Sequence, residues 1–382
     1  MSARLSFQIY KTANDLPLQW DAIAPHNIFL SSAYLSALDL SAPQNMICHY
    51  VGMFNGDRLC GVAVTQFLDL NKLRSFGERD RCVKTAIRNV MFRNFSSHVL
   101  FIGNNMLTGQ NAYHFTADID VVEGLKLLKS ATEALKMNFR KRGYKVHLTT
   151  FKDFANAELP NFQKAGFNRF YRFSIQPNMV FDITNFVSFD DYVNRLTKKY
   201  RDQYKRSQKR SAGITRRKMT LSDIETHNEK IYSLYEYVAR NAPFNTFFLA
   251  DNHFSVLKSI LKDRFLFYGY FQDDQLIGFN TLIKNGDTLD TYFLGYDDTI
   301  QRKKMLYLNM LYDMIGYAIK KGYKKIVFAR TALEIKSSVG AEPVEMYGFL
   351  SHQNPMINSQ IDKLFKYLEP SPVWQRRSPF KD

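Results

Sequence analysis

The sequence predicts an α/β protein with mixed sheets, built as two related halves joined by a basic helical connection. Three observations carry that expectation: a hairpin-like segment that occurs twice, an amphipathic helix with a short strand after each copy, and a run of lysines and arginines between the halves. At 382 residues the chain is too long for one ordinary domain, and its 45% hydrophobic and 23% charged residues lie near globular averages, so it should fold.

The first element is the repeat. Tyr50-Val51-Gly52-Met53-Phe54-Asn55-Gly56-Asp57-Arg58-Leu59-Cys60-Gly61-Val62 is answered by Tyr268-Gly269-Tyr270-Phe271-Gln272-Asp273-Asp274-Gln275-Leu276-Ile277-Gly278-Phe279. Gly52, Phe54, Asp57, Leu59 and Gly61 meet Gly269, Phe271, Asp274, Leu276 and Gly278 at a constant offset. Apolar runs flank polar turns holding Asn55-Gly56 or Asp273-Asp274, so both copies read as β-hairpins.

Next come the helices. Leu125, Leu128, Ala131, Leu135 and Phe139 precede Gly143-Tyr144-Lys145-Val146, and Leu308, Leu311, Ile315 and Ala318 precede Gly322-Tyr323-Lys324-Lys325-Ile326. Apolar spacings of three and four predict amphipathic helices, each ended by a left-handed glycine and followed by a strand. The expected boundaries are 1–183 for the first half, 184–220 for the basic helix and connector, 221–370 for the second half and 371–382 for a tail. The first half carries extra length over 69–117, expected to be an inserted loop region. It holds Phe76-Gly77-Glu78-Arg79-Asp80-Arg81 and Ile102-Gly103-Asn104-Asn105-Met106-Leu107-Thr108-Gly109. Such glycine and asparagine density implies turns facing a cleft, with Asn104 and Asn105 as candidate substrate contacts, or else an ornamental surface loop.

The connection is the most strongly charged segment. Arg195, Lys198, Lys199, Arg201, Lys205, Arg206, Lys209 and Arg210 stand against Asp202, and Arg216, Arg217 and Lys218 follow. Tyr192, Leu196, Tyr200 and Tyr204 recur every fourth residue, so a single helix would pack one edge and show charge on the other. Lys199, Tyr200, Arg201 and Arg206 are therefore candidates for contact with a donor phosphate or an anionic membrane headgroup; a solvated face is the alternative. The net charge of +16 agrees, drawing phosphate-bearing partners such as coenzyme A, tRNA or anionic lipid without choosing among them. Aromatics at 15% suit a large core, a greasy channel or an interfacial surface.

Other classes lose ground. No apolar run is long enough for a membrane span and the N-terminus does not read as a signal peptide, so a cytoplasmic location is expected, with peripheral contact at the inner face of the membrane as its variant. Cys48, Cys60 and Cys82 lack zinc-site spacing and are expected to be reduced, non-catalytic thiols. The eight histidines are scattered without metal-ligand spacing, and no nucleophile elbow, P-loop or dinucleotide fingerprint occurs. Neither a metal cofactor nor nucleotide-driven chemistry is expected.

The order of elements in each half resembles the GCN5-related N-acetyltransferase (GNAT) fold, and two such halves in tandem resemble the FemABX-type aminoacyltransferases and the BioF2-like acyltransferases. The stretches that carry the resemblance are the helix from Asp191 to Arg206, Leu289-Asp290-Thr291-Tyr292-Phe293-Leu294-Gly295-Tyr296, Tyr307-Leu308-Asn309 with its helix, and Phe328-Ala329-Arg330 through Glu342-Pro343. The resemblance covers the second half almost end to end and implies an N-acyltransferase. Its donor would be an acyl-CoA or acyl-carrier-protein thioester, its acceptor an amine on a lipid or cell-envelope precursor. The alternatives are aminoacyl transfer from tRNA to a cell-wall precursor, and a non-catalytic binder of nucleic acid or anionic membrane. Acetyl-coenzyme A enzymes of the superfamily carry a glycine-containing pyrophosphate loop where this chain reads Gln301-Arg302-Lys303-Lys304-Met305-Leu306, without glycine. The donor therefore stays open.

Acyl transfer to an amine needs a stabilised oxyanion and a proton acceptor. Arg330 follows an apolar strand, where ligands of open α/β sheets gather, and Glu334 and Lys336 lie within the next two turns. Glu334 is the expected base, and Lys336 or Arg330 the oxyanion or phosphate partner; a surface ion pair is the alternative. Tyr292 and Tyr296 are expected on one face of their strand, with Tyr292 as proton donor to the leaving group and Tyr296, Tyr307 and Asn309 as binding residues. Ordinary packing is the competing explanation.

Overall fold

The computed structural model describes residues 5–72, 96–242, 245–363 and 374–381. The chain divides into two compact units, the first made of Met1–Ile175 with Thr246–Ala250 and Glu345–Ser371, the second of Gln176–Asn245 with Asp251–Val344 and Pro372–Asp382.

In the first unit β1 (Leu5–Tyr10), β2 (Met46–Asn55), β3 (Arg58–Asp69), β4 (His98–Ile102) and β6 (Leu148–Phe154) form a sheet in that order, and β5 (Tyr113–Phe115) pairs with β3. Its neighbours are antiparallel except β4 and β6, which run parallel and are connected through the helix Val121–Lys141. The sheet is completed by β13 (Glu342–His352), whose residues Tyr347–His352 pair antiparallel with β6. The core gathers Leu125, Leu128, Leu135 and Phe139 of the helix against Phe67, Phe151, Phe162 and Phe349.

The second unit repeats this plan. β8 (Ile214–Lys218), β9 (Phe265–Gln272), β10 (Gln275–Asn285), β11 (Thr288–Tyr296) and β12 (Lys325–Ala329) follow one another in the sheet. β11 and β12 form the parallel pair, connected by the helix Leu306–Lys320, and the end of β7 (Tyr171–Asp182) pairs antiparallel with β12. The first unit thus takes its last strand from a remote part of the chain, and the second takes its own from the stretch at which it begins. Segment 345–363, which the sequence assigned to the second half, supplies that strand to the first unit.

The hairpin echo has a physical basis. A Cβ on Gly52 would come within 3.2 Å of Leu59 and Phe54, and one on Gly269 within 3.1 Å of Leu276 and Phe271, the matching residues of the repeat. Both hairpins also carry a bulge at the same place, Cys60 in one and Ile277 in the other. Their two-residue turns are Gly56-Asp57, not Asn55-Gly56, and Asp273-Asp274, with left-handed backbone at Gly56, Asp273 and Asp274. Gly143 and Gly322 end the two long helices at φ +82° and +71°.

Several expectations need correction. The region 69–117 is not simply an insertion, because β4 and β5 lie inside it and β4 stands where β11 stands in the second unit. The stretch Phe76–Arg81 lies outside the described residues. The strand placed at Gly143–Val146 begins later, at Leu148. The basic connection is two helices, Phe189–Arg195 and Lys198–Arg210, because Leu196 turns extended and forms a β-bridge with Phe380.

Candidate functional site

Where β11 and β12 begin, at Thr288–Asp290 and Lys325–Val327, they are hydrogen-bonded in parallel, and the ladder stops there while β11 continues to Tyr296. The short helix Asp298–Lys304 follows, ending at Met305 in left-handed conformation (φ 51°), from which the helix Leu306–Lys320 starts. The chain therefore makes the left-handed turn into the helix without the glycine that the resemblance led one to look for. Asn309 is the bolt: its Nδ2 donates to the carbonyls of Met305 (3.0 Å) and Ser207 (3.2 Å), and its Oδ1 accepts from Gln208 Nε2 (2.8 Å). Asn309 is buried and structural, fixing the basic helix against the helix start.

A hollow of about 470 Å³ opens at this junction, lined by Gln203 and Arg210 of the basic helix, Gln301, Arg302, Met305, Tyr307 and Leu308 at the helix start, Glu334, Ile335 and Ser338, and Arg377. Three arginines face one acid among the described lining residues. Backbone N–H groups of a first helical turn together with guanidinium groups are suited to a phosphate or other polyanion.

The segment Trp374–Lys381 closes one wall. Arg377 Nη2 donates to Glu334 Oε2 (2.9 Å), the Gln375 N–H donates to Glu334 Oε1 (3.1 Å), and the Arg377 N–H donates to Ser337 Oγ (3.1 Å). These bonds hold the exposed Glu334 carboxyl below its ordinary range, the backbone bond to Gln375 first and the Arg377 bond second. A general base working near neutrality needs the opposite shift. The geometry makes Glu334 a latch for this segment, contrary to the role expected of it.

Lys336 is 4% exposed, and its Nζ donates to the carbonyls of Ala329 (3.2 Å) and Arg330 (2.7 Å). Burial pushes its ammonium down to about 7. It braces the turn after β12, where Ala329, Thr331 and Ala332 all have positive φ. Arg330 is half-buried and donates through Nε to the Gln176 carbonyl (3.0 Å). Arg330, Glu334 and Lys336 thus lie along one turn and helix, yet Glu334 alone of the three lines the hollow.

Tyr292 and Tyr296 do not share a face. Between Asn280/Leu294 and Leu282/Thr291 the ladder slips, so Tyr292 and Phe293 together oppose Thr281. This bulge turns Tyr292 toward His253, whose Nε2 lies 3.0 Å from the tyrosine hydroxyl, while Tyr296 contacts Tyr307 on the opposite face. His253 is fully buried at the start of the helix His253–Leu261.

On the basic helix Tyr200 is core, the Lys199 ammonium lies 5.2 Å from the Tyr200 ring, Arg201 is half-buried and Arg206 is exposed. Arg216, Arg217 and Lys218 sit on β8 and pair with Asp313, Asp274 and Asp263. Asn104 and Asn105 belong to the first unit. Asn104 is buried between Gln66 and Tyr34, and Asn105 donates to Gln66 Oε1 and Thr246 Oγ1, so both organise a loop. Cys48 and Cys60 are buried, and burial pushes the Cys48 thiol up to about 12. Among the described residues no group of three His, Cys, Asp or Glu side chains is placed to hold a metal ion.

The sequence passed over Gln203, Arg302 and Arg377 as lining residues and His253 as the partner of Tyr292. For Arg377 a signal existed: Arg376-Arg377 is bracketed by Trp374 and Phe380, two aromatic anchors in a segment otherwise read as a tail.

A FemAB-like family model, described as peptidoglycan biosynthesis/recognition, matches residues 14–371. Among curated proteins none matches the chain. Of solved structures, FemX is similar with a TM-score of 0.54 at 12% identity, over 96% of this chain and 100% of FemX. A tandem GNAT protein from the clavulanic acid biosynthesis pathway, solved without AcCoA, is similar with a TM-score of 0.53 at 10% identity, over 92% of this chain and 99% of that one. At such identities the two structures speak for the tandem GNAT fold.

Proposed function

The chain belongs to the FemAB-like family, and from that premise we propose that it transfers an acyl or aminoacyl group from a phosphate-bearing donor to an amine on a cell-envelope precursor. The observation that carries this reading is the arginine-lined hollow at the start of the helix Leu306–Lys320, beside the place where β11 and β12 part. Arg210 and Arg302 hold donor phosphates there, with the N–H groups of Tyr307 and Leu308. The reactive carbonyl then lies toward the gap between the two strands.

The amine nitrogen attacks that carbonyl carbon, and the carbon's bond to the donor sulfur or ribose oxygen breaks. Tyr292 gives its hydroxyl proton to the departing atom and regains one from the attacking nitrogen, the imidazole of His253 keeping the hydroxyl aligned. Positioning supplies the larger share of the rate, since acyl transfer asks little covalent work of the protein.

For the donor, an acyl thioester and an aminoacyl-tRNA both carry the required phosphates. The exposed Lys198, Lys199, Lys205, Arg206, Lys209 and Arg210 extend positive charge along the basic helix, which favours the longer polyanion. No helix among the described residues is long and apolar enough to cross a membrane. In this reading the protein meets its acceptor at the cytoplasmic side of the envelope.

The test offers purified protein acyl-CoA, acyl carrier protein and charged tRNA as donors with envelope-precursor amines as acceptors, and follows the label. Transfer from at least one donor is expected, with Arg302→Glu raising its KM about tenfold or more. Absence of transfer from every donor overturns the reading. If tRNA is the donor, its binding falls steeply with salt; binding indifferent to salt excludes it.

A further inference from the structure

We propose that the segment Trp374–Lys381 is a working part of the donor pocket: it delivers Arg377 as a phosphate ligand, which Glu334 holds in place until a donor arrives. This inference rests on the reading of the hollow as the donor-phosphate site and adds to it a binding residue and the strap that positions it.

Arg377 is fixed from both sides. Upstream, the Gln375 N–H bonds to Glu334 and Arg376 pairs with Glu342. At Arg377 itself the backbone N–H is bonded to Ser337 Oγ, which sets where the side chain leaves the strap. Downstream, the Pro379 carbonyl accepts from the Thr197 N–H (2.8 Å), Phe380 forms a β-bridge with Leu196, and Lys381 Nζ donates to the Asn194 carbonyl (3.2 Å). The Phe380 ring packs on Phe181, Phe186 and Tyr192, and it needs Gly340, where a Cβ would stand 2.6 Å from the ring.

The strap thus pairs at the break between the helix Phe189–Arg195 and the basic helix Lys198–Arg210, and its backbone and Phe380 contacts do not involve the Arg377 side chain. Beyond its bond to Glu334, Arg377 brings a third guanidinium, 31% exposed, to a wall already holding Arg210 and Arg302. Like charges gathered around one hollow repel each other, and Glu334 balances only one of them. A diphosphate would relieve the rest. A guanidinium offers five donors in a fixed fork, so Arg377 can engage a phosphate through the groups Glu334 leaves over, or release Glu334 and turn fully to the donor.

The probe is inorganic pyrophosphate, titrated calorimetrically into the full-length protein. Arg377→Gln is expected to weaken binding about tenfold to a hundredfold, the scale of one charge-assisted contact. Lys126→Gln, which removes one positive charge on the helix Val121–Lys141, outside both the hollow and the strap, is expected to leave binding unchanged. Glu334→Gln is expected to tighten it severalfold by removing the competing carboxylate. If Arg377→Gln binds as the native protein does while Arg302→Gln loses binding, the strap is merely structural and the proposal fails on its own. If Arg377→Gln binds more tightly, the strap obstructs the pocket, and the proposal fails too. If the native protein binds no pyrophosphate, the donor-site reading beneath it fails as well. Arg377 is partly exposed, so its glutamine variant should fold; unchanged near-ultraviolet circular dichroism checks this.

Discussion

Lys336 shows how a residue chosen for chemistry can serve the backbone instead. Three residues in left-handed conformation, Ala329, Thr331 and Ala332, bend the chain after β12, each at a cost of about 1–2 kcal/mol for a residue other than glycine. The carbonyls of Ala329 and Arg330 are turned inward by that bend, and Lys336 Nζ satisfies both. Burial lowers its pKa from 10.5 to about 7, so between those values the unfolded chain binds more protons than the folded one. Stability must then rise as pH climbs from about 7, by about 1.4 kcal/mol per pH unit at most, and be lost again as pH falls back through 7. Urea midpoints measured from pH 7 to 9 should increase in the native protein and flatten in Lys336→Met; parallel profiles would refute the assignment. Above about 10 the buried Tyr192 and Tyr270 work in the opposite sense, because their hydroxyls are held well above the ordinary value by burial. The sequence placed Arg330, Glu334 and Lys336 around one pocket mouth; they lie along one turn and helix, and Glu334 alone of the three lines the hollow. The sequence held no sign of their roles, since burial of Lys336 and latching of Glu334 depend on a turn and a strap that no local pattern announces.

At the scale of elements, glycines and bulges decide which side chains face which way. Gly295 lies on β11 where the helix Asn228–Asn241 crosses it, and a Cβ there would stand 2.6 Å from the Leu234 carbonyl carbon and 2.7 Å from the Tyr235 nitrogen. Backbone cannot step aside as a side-chain end can. At Gly269 the nearest obstacles are Met219 Sδ and the Phe271 ring edge, both 2.7 Å away and both on rotatable chains. Gly295→Ala should therefore destabilise by about 3 kcal/mol or more and Gly269→Ala by distinctly less. Denaturation of the two variants side by side checks the order, and equal losses would contradict it. The repeated hairpins were legible because the same glycine, phenylalanine and leucine recur to make the same contact in both. The bulge at Tyr292-Phe293 was not, since neither residue marks one, and a slip of one position sent Tyr292 to the face opposite Tyr296. That slip also brings Tyr292 to His253, a pairing that strict alternation would have hidden.

Across the whole molecule, the two halves of the sequence are not the two folded units. β7 follows the elements of the first half but its end completes the second sheet, and β13 closes the second half but completes the first. The repeat revealed two equivalent sets of elements, and both sets have a final strand of similar apolar character. Nothing in a strand's own sequence states which of two like sheets it will join, so the exchange could not be read from the pattern that revealed the duplication. It has an energetic consequence. Without β13 the edge of β6 loses its hydrogen-bonded partner, and the first core loses Phe349, which is 3% exposed and stacks on Phe162 with ring centroids 4.7 Å apart. Removing one such buried aromatic costs about 3–5 kcal/mol, a large part of the stability of a domain this size. A fragment of residues 1–175 should accordingly show no cooperative unfolding, and fusing residues 345–363 to it through a flexible linker should restore a transition. Cooperative unfolding of 1–175 alone, at the midpoint of the fused form, would mean that the first unit does not need the borrowed strand.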